Sequence, residues 1–430
     1  GEEEIEERGR KGGEKKEERG KKGKEKRKEE EDEEKKKRKE RKKEAKRIVE
    51  EKVEKRSQIG GIDVLKLAEK YGTPVYVYNA DRITSQYKRL TNAFDGMNVK
   101  IRYACKALTN QNILTLLRKL GSGLDTVSIE EVKLGLKAGY APEEVIFTPN
   151  GVSIREINEA VTLGVNINID NISILEQFGN IHGGNIPICI RLNPHIMAGG
   201  NYQISTGHID SKFGISIHQL RHIERIIEST GLKVNGLHIH TGSEILNIDV
   251  FLRIVDILFD TTRCFPDLDF IDLGSGFKVP MTPSETSTDI EALGKELSKK
   301  FKSFCKDYGK DLELWFEPGK FLVSEAGTFL AKVNVVKQTT ATVFAGIDSG
   351  FNHLIRPMFY SSYHHIVNAS NPDGIERIYT VSGYICETDN FAWDRKINEV
   401  KEGDILAFQN AGAYGFQMAS NYNSRLRPPE

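Results

Sequence analysis

Lys106 closes the stretch Val99-Lys100-Ile101-Arg102-Tyr103-Ala104-Cys105-Lys106-Ala107-Leu108, in which apolar and polar positions alternate as in a buried strand. Burial disfavours an ammonium, so a lysine held at such a position is expected to have a depressed pKa and a nucleophilic amine, as a Schiff-base lysine does. More commonly a strand-end lysine snorkels to the surface. Three other stretches bear on the choice. Gly274-Ser275-Gly276 can turn backbone N–H groups toward an anion, although a lone pair of spaced glycines usually marks a tight turn. Gly319 would allow a second close approach, and Ser243 in His238-Ile239-His240-Thr241-Gly242-Ser243 could donate a hydroxyl to the same anion. His238 and His240 are two apart on a strand and point the same way. They read either as half of a metal site, with no third ligand evident in the spacing, or as a ring that stacks on a flat cofactor.

Composition narrows the class. The 430 residues suffice for two domains and a large core. The formal net charge of +0 hides a split: Lys, Arg and Glu crowd residues 1–56, and the remainder is mildly acidic. That balance points away from nucleic acid and membrane surfaces as partners. Cys105, Cys189, Cys264, Cys305 and Cys386 are odd in number, scattered and without metal-ligand spacing, which fits a reducing, cytoplasmic setting. No apolar run reaches the ~18 residues that would span a membrane, and the start carries no apolar signal region. Residues 1–58 are expected to be a solvated, disordered tail or an artefact, since so few apolar residues cannot offset ordering entropy. The first residue is Gly rather than Met, so the natural start is expected elsewhere.

The elements that must position these residues follow in order. Ile62–Gly72 reads as a short amphipathic helix with a C-cap glycine, Thr73–Tyr78 as a strand, and Asp81–Phe94 as a helix. Eight strands are expected at 99–107, 123–128, 144–149, 165–170, 186–193, 234–241, 269–274 and 312–317. Helical patterns such as Gln111–Leu120, Glu130–Ala138, Ile154–Leu163, His218–Glu228, Asp249–Thr262 and Asp289–Tyr308 lie between them. This alternation predicts an α/β protein built on a (β/α)8 TIM-like barrel. Such a barrel gathers function at the carboxyl ends of its strands. The polar residues Lys106, Asp125, Asn150, Arg191, Asn193, His238, His240, Gly274–Gly276 and Glu317–Gly319 all fall there. After about residue 325 short strands predict a C-terminal β domain of sandwich or barrel type: Leu330–Lys337, Thr340–Ile347, Arg377–Val381 and Ile405–Phe408. The expected organisation is a tail (1–58), a segment contributing to the β domain (59–79), the barrel (80–325) and the β domain (326–430). The chain stops at Pro428-Pro429-Glu430 without a last strand, so a further closing element is expected.

An aldehyde-seeking lysine, an anion cradle, a stacking histidine and a ring-nitrogen carboxylate together describe a site for pyridoxal phosphate. Lys106 would take the aldehyde, the glycines and Ser243 the phosphate, His240 the ring face and Glu317 the pyridine nitrogen, which a carboxylate keeps protonated as an electron sink.

From residue 60 onward the chain resembles the diaminopimelate decarboxylase family, of the alanine-racemase-like fold that also includes ornithine decarboxylase. The resemblance rests on Tyr103-Ala104-Cys105-Lys106-Ala107, Ser122 to Ser128, Arg191-Leu192-Asn193-Pro194, Ser205-Thr206-Gly207, Lys212-Phe213-Gly214, His238 to Ser243, Glu317-Pro318-Gly319, Cys386-Glu387-Thr388 and Gly412-Ala413-Tyr414-Gly415. It implies that Lys106 carries the cofactor and that Asp125, His240, Ser243, Gly274, Gly276, Glu317, Gly319, Lys320 and Tyr414 bind it. It implies a substrate site at Arg356, Tyr360, Lys320 and Tyr414, with Glu387 reading the distal amino group and Cys386 returning a proton. In the family the last two come from the partner subunit of a homodimer. The implied reaction converts meso-2,6-diaminopimelate to L-lysine and CO2, with no metal. The sister substrates ornithine, arginine and carboxynorspermidine, and a non-catalytic cofactor-binding homologue, are the alternatives. The chain departs from the family at Lys320, where arginine is usual and serves the substrate carboxylate, and at Thr388-Asp389-Asn390, where Ser/Thr-Gly-Asp is usual. Without the bidentate fork, Lys320 bears on substrate choice more than on cofactor binding.

Overall fold

The computed structural model describes residues 58–196 and 211–430, together with Lys35 and Lys39. The charged tail and the Ser205-Thr206-Gly207 motif otherwise lie outside the described residues. Eight parallel strands form a closed ring: Val99–Ala104, Gly123–Thr126, Val145–Phe147, Asn166–Ile169, Ile188–Asn193, Val234–Ile239, Phe270–Asp272 and Glu313–Phe316. The ring closes where Leu314 pairs with Val99. Each strand is shorter than the sequence pattern predicts, and all but Ile188–Asn193 stop before the expected last residue. Lys106 sits on a single 3-10 turn, Cys105–Ala107, just beyond its strand.

Several of the intervening helices begin where short polar side chains accept from free N–H groups. Ser128 accepts from Glu131, Asn171 from Ile174 and Asp289 from Ala292. Their apolar faces pack on the outside of the barrel in one large core.

Strand alternation explains where the functional residues point. In the first barrel strand, Ile101 and Tyr103 belong to the outer core, whereas Arg102 and Ala104 face the other way. One inward layer is a plug: Phe270 stacks on Trp315 with centroids 3.5 Å apart, the Arg102 guanidinium lies 3.6 Å from the Trp315 ring, and Ile146 and Cys189 complete it. A Cβ at Gly236 would fall 2.2 Å from the Phe270 ring, so the plug needs glycine there. Two residues further along the same faces stand Ala104, Thr148, Arg191, His238, Asp272 and Glu317. The plug fills the amino side of the barrel, and the polar layer occupies the carboxyl side.

The second sheet is built around one long strand, Gly327–Gln338. It pairs antiparallel with Val75–Tyr78, Val343–Ile347 and Ile405–Phe408. The early strand Val75–Tyr78 therefore lies in the same sheet as the later strands. Glu376–Ser382 extends the sheet in parallel with Val343–Ile347, and Asn390–Asn398 and Ile366–Asn368 complete it. The last two are not predicted from the sequence. Asn390–Asn398 pairs on one side only and is kinked at Asp394, whose φ is 45°, so its apolar positions lose their period of two.

Candidate active site

The carboxyl ends of the barrel strands open into a cavity of about 520 Å³. Barrel residues lining it include Lys106, Asp125, Thr148, Arg191, His238, His240, Ser243, Glu244, Ser275, Gly276, Glu317, Gly319 and Lys320. The β domain contributes Arg356, Tyr360, Ser362, Tyr414 and Met418. The cavity thus joins residues more than 300 positions apart.

Two contacts fix the Lys106 turn. The Tyr103 hydroxyl donates to the Leu108 carbonyl at 3.0 Å, and the Tyr414 amide donates to the Ala107 carbonyl at 2.9 Å. Tyr414 reaches this position with φ of 58°, unusual for a residue with a side chain. A close approach brings its loop in: a Cβ on Gly327 would lie 2.1 Å from the Gly412 Cα.

The electrostatics of Lys106 correct the sequence expectation. Burial lowers its pKa, but the surrounding acidic groups Tyr414, Asp125 and Glu317 more than offset burial, and the net direction is upward. The resting amine is an ammonium. Burial and Glu317 in turn push the Asp125 pKa well up, against the pull of Lys106.

At the cavity wall lies a triad that sequence spacing did not reveal. His238 Nε2 is 3.0 Å from Glu317 Oε2, and ligating atoms of His238, Asp272 and Glu317 all lie within 4.8 Å of one another. His238 therefore has acidic partners of metal-ligating type after all, supplied by two neighbouring strands rather than by nearby sequence. Two carboxyls this close and this buried cannot both ionise. Burial and Glu317 drive Asp272 up, so it keeps its proton. Burial works against Glu317 too, but the His238 contact, a hydrogen bond from Asp272 and the Lys106 charge hold it below the usual range. Glu317 is the ionised member. Burial pushes His238 and His240 down, so both rings are neutral.

The glycine turn is also revised. The Gly274 amide donates to Asp272 Oδ1 at 2.8 Å and its carbonyl accepts from the Glu317 amide at 2.6 Å. The Ser275 amide donates to His240 Nδ1 at 3.3 Å. Gly274 therefore orients the triad instead of offering its amide to an anion, and it does not line the cavity. Gly276 and Ser275 do.

On the β-domain side the Arg356 guanidinium lies 5.6 Å from the Tyr360 ring and 5.8 Å from the Tyr414 ring, and donates to Ser362 Oγ at 3.3 Å. Cys386 and Glu387 do not join this cavity. Both are exposed on a turn, where Tyr422 donates to Glu387 Oε1 at 2.5 Å and Asn423 to Cys386 Sγ at 3.5 Å.

The pyridoxal-binding domain of the pyridoxal-dependent decarboxylases matches residues 80–324. The chain belongs to this family. Diaminopimelate decarboxylase of Methanothermobacter thermautotrophicus is 39% identical over 382 residues, 86% of this chain and 89% of that protein. The crystal structure of diaminopimelate decarboxylase from Helicobacter pylori complexed with L-lysine matches with a TM-score of 0.77 at 30% identity, covering 85% of this chain and 93% of that one. Its counterpart from M. jannaschii, also with L-lysine, gives 0.78 at 31%, covering 86% and 88%.

As a pyridoxal-dependent decarboxylase the chain uses pyridoxal phosphate, and its residues fit that group. The Ser243 hydroxyl is buried in the cavity wall with no protein partner, as a phosphate donor would be. Gly276 adopts φ of 113°, and a Cβ there would fall 2.5 Å from the Gly242 carbonyl, so the turn keeps its backbone bare beside Ser243. Sequence reasoning missed Thr148, Asp272, Glu244, Ser362 and Met418 as parts of the site. Thr148 and Asp272 carried a signal, since each ends a barrel strand two residues after a plug residue. Glu244 and Ser362 lie on loops and Met418 ends a 3-10 turn, and none of them carried one.

Proposed function

We propose that the chain decarboxylates meso-2,6-diaminopimelate to L-lysine and CO2, the last step of lysine biosynthesis. The observation that carries this reading is a half-buried lysine, Lys106, sharing one cavity with the ionised Glu317 and the Arg356 guanidinium. Relatives named for this reaction, two of them with L-lysine bound, support it. When bound, pyridoxal phosphate supplies an aldehyde that engages amino groups and a pyridinium that accepts the electrons of the breaking carbon–carboxylate bond.

The chain's own residues do the rest. Lys106 and Tyr414 would stand at the cofactor's aldehyde. Ser243, Gly276 and the Glu317–Lys320 turn would hold its phosphate and ring, with His240 and Asp125 at the ring. A carboxylate kept ionised by a neutral histidine and a protonated aspartic acid is suited to holding a proton on a ring nitrogen. Arg356, with Tyr360, would take the substrate's distal carboxylate.

The exposed position of Cys386 and Glu387 supports assembly as a homodimer in which the partner subunit supplies both, as proton donor and as reader of the distal amino group. The reading takes 80–325 as the catalytic barrel, with 59–79 and 326–430 as the β domain. Five unpaired cysteines support a cytoplasmic setting. Among the described residues no helix is long and apolar enough to cross a membrane.

The test supplies meso-diaminopimelate to the cofactor-loaded protein and looks for L-lysine and CO2. Release of a diamine from ornithine instead, with no lysine formed, overturns the reading in favour of a sister decarboxylase.

A further inference from the structure

Glu244 is a cavity residue that no role above uses. It follows the strand Val234–Ile239, and its backbone adopts φ of 67°, a left-handed conformation that residues with a side chain seldom take. From there its Oε1 lies 2.9 Å from the Nζ of Lys320, which is 76 positions away at the end of the last barrel strand. The Lys320 side chain is 12% exposed and the Glu244 side chain 30%. Both line the cavity that also holds Arg356.

Two cations, Lys320 and Arg356, therefore face one space, and their charges oppose each other. A lysine is a point charge on a flexible stem of four carbons, whereas an arginine carries its donors in a preorganised fork. Left alone, the Lys320 ammonium would swing away from the guanidinium toward water. The other nearby lysine, Lys278, pairs with Glu285 at 3.7 Å. Burial raises the pKa of Glu244, but Lys320, Lys278 and Arg356 more than offset this, so its carboxylate is charged.

We propose that Glu244 is a positioning residue for substrate selection: it pins Lys320 beside Arg356, so that two cations meet the distal carboxylate of the amino-acid substrate. The assignment rests on the decarboxylase reading above. It makes Glu244 and Lys320 a functional pair. A lysine at 320 needs the glutamate at 244, and an arginine would not.

The test is a double-mutant cycle on ligand binding to the pyridoxal-phosphate-loaded enzyme, with E244Q, K320R and the double variant titrated calorimetrically. L-Lysine carries the carboxylate and cadaverine lacks it. E244Q is expected to raise the L-lysine dissociation constant roughly tenfold with Lys320 in place, and less than about twofold in the K320R background. The cadaverine constant moves less than about twofold throughout. Equal losses of L-lysine binding in both backgrounds overturn the proposal, as does tighter L-lysine binding in E244Q, which would mean that Glu244 competes with the ligand. Parallel loss of cadaverine also overturns it, because Glu244 would then contact the amine or merely support the loop. A wild-type enzyme that makes no lysine from meso-diaminopimelate yet shows the cycle refutes the reaction and keeps the pair. One that makes lysine without the cycle does the reverse.

Discussion

Lys106 illustrates how far a residue's chemistry depends on its neighbours. Burial alone argues for a neutral amine, but the acidic groups around it reverse the sign. Replacing it should separate covalent retention from cavity shape. K106A is expected to lose decarboxylation by orders of magnitude, together with the near-visible absorption band of the lysine-bound cofactor. A K106A protein that keeps the band would remove Lys106 from its assigned place.

His364 gives a residue-scale prediction about stability. Its ring is buried beside the site, and Nδ1 donates to the Gln409 carbonyl at 2.9 Å. Burial is the largest influence, and its pKa falls to about 4 from an ordinary 6.5. Below pH 6.5 the unfolded chain binds a proton that the native ring refuses, so unfolding is favoured as pH falls and stability rises with pH across that window. A shift from 6.5 to about 4 corresponds to roughly 3 kcal/mol. In denaturant titrations the wild-type unfolding free energy should rise by up to roughly 3 kcal/mol more than that of H364Q between pH 4 and 7. Parallel curves would show that His364 protonates without cost.

At the scale of elements, the barrel sets a layer of apolar and aromatic plug residues below a layer of polar ones. Gly274 and Gly276 end the seventh strand in left-handed backbone, so the chain can turn tightly against His240 and Gly242. G276A combines a φ of 113° with a contact 2.5 Å from a carbonyl. It should cost about 1–3 kcal/mol of stability and weaken the cofactor by about tenfold or more. A thermal melt and a pyridoxal phosphate titration check the two effects separately. An unaltered cofactor affinity in a folded G276A would show that the turn does not touch the phosphate.

For the whole molecule, the separation of Cys386 and Glu387 from the cavity is the decisive feature. If each site borrows these residues from a second copy, two inactive variants should repair one another. Mixing K106A with C386A subunits forms mixed dimers in which one of the two sites has both residues intact. Statistical exchange then predicts about a quarter of wild-type activity. Activity that stays at the sum of the two variants would place Cys386 within its own chain's chemistry.

The sequence alone determined the eight barrel strands and the placing of Lys106, Asp125, His240 and Glu317 at strand ends. These follow from local periodicity, and in a closed barrel a strand's end dictates which way its last inward residue faces. Tertiary structure alone decided the charge of Lys106, the His238–Asp272–Glu317 triad, the diversion of Gly274 from anion binding and the pairing of Glu244 with Lys320. Each depends on atoms a few ångströms apart that the chain separates by tens to hundreds of residues. Electrostatic coupling follows that spatial distance, and periodicity along the chain carries no record of it.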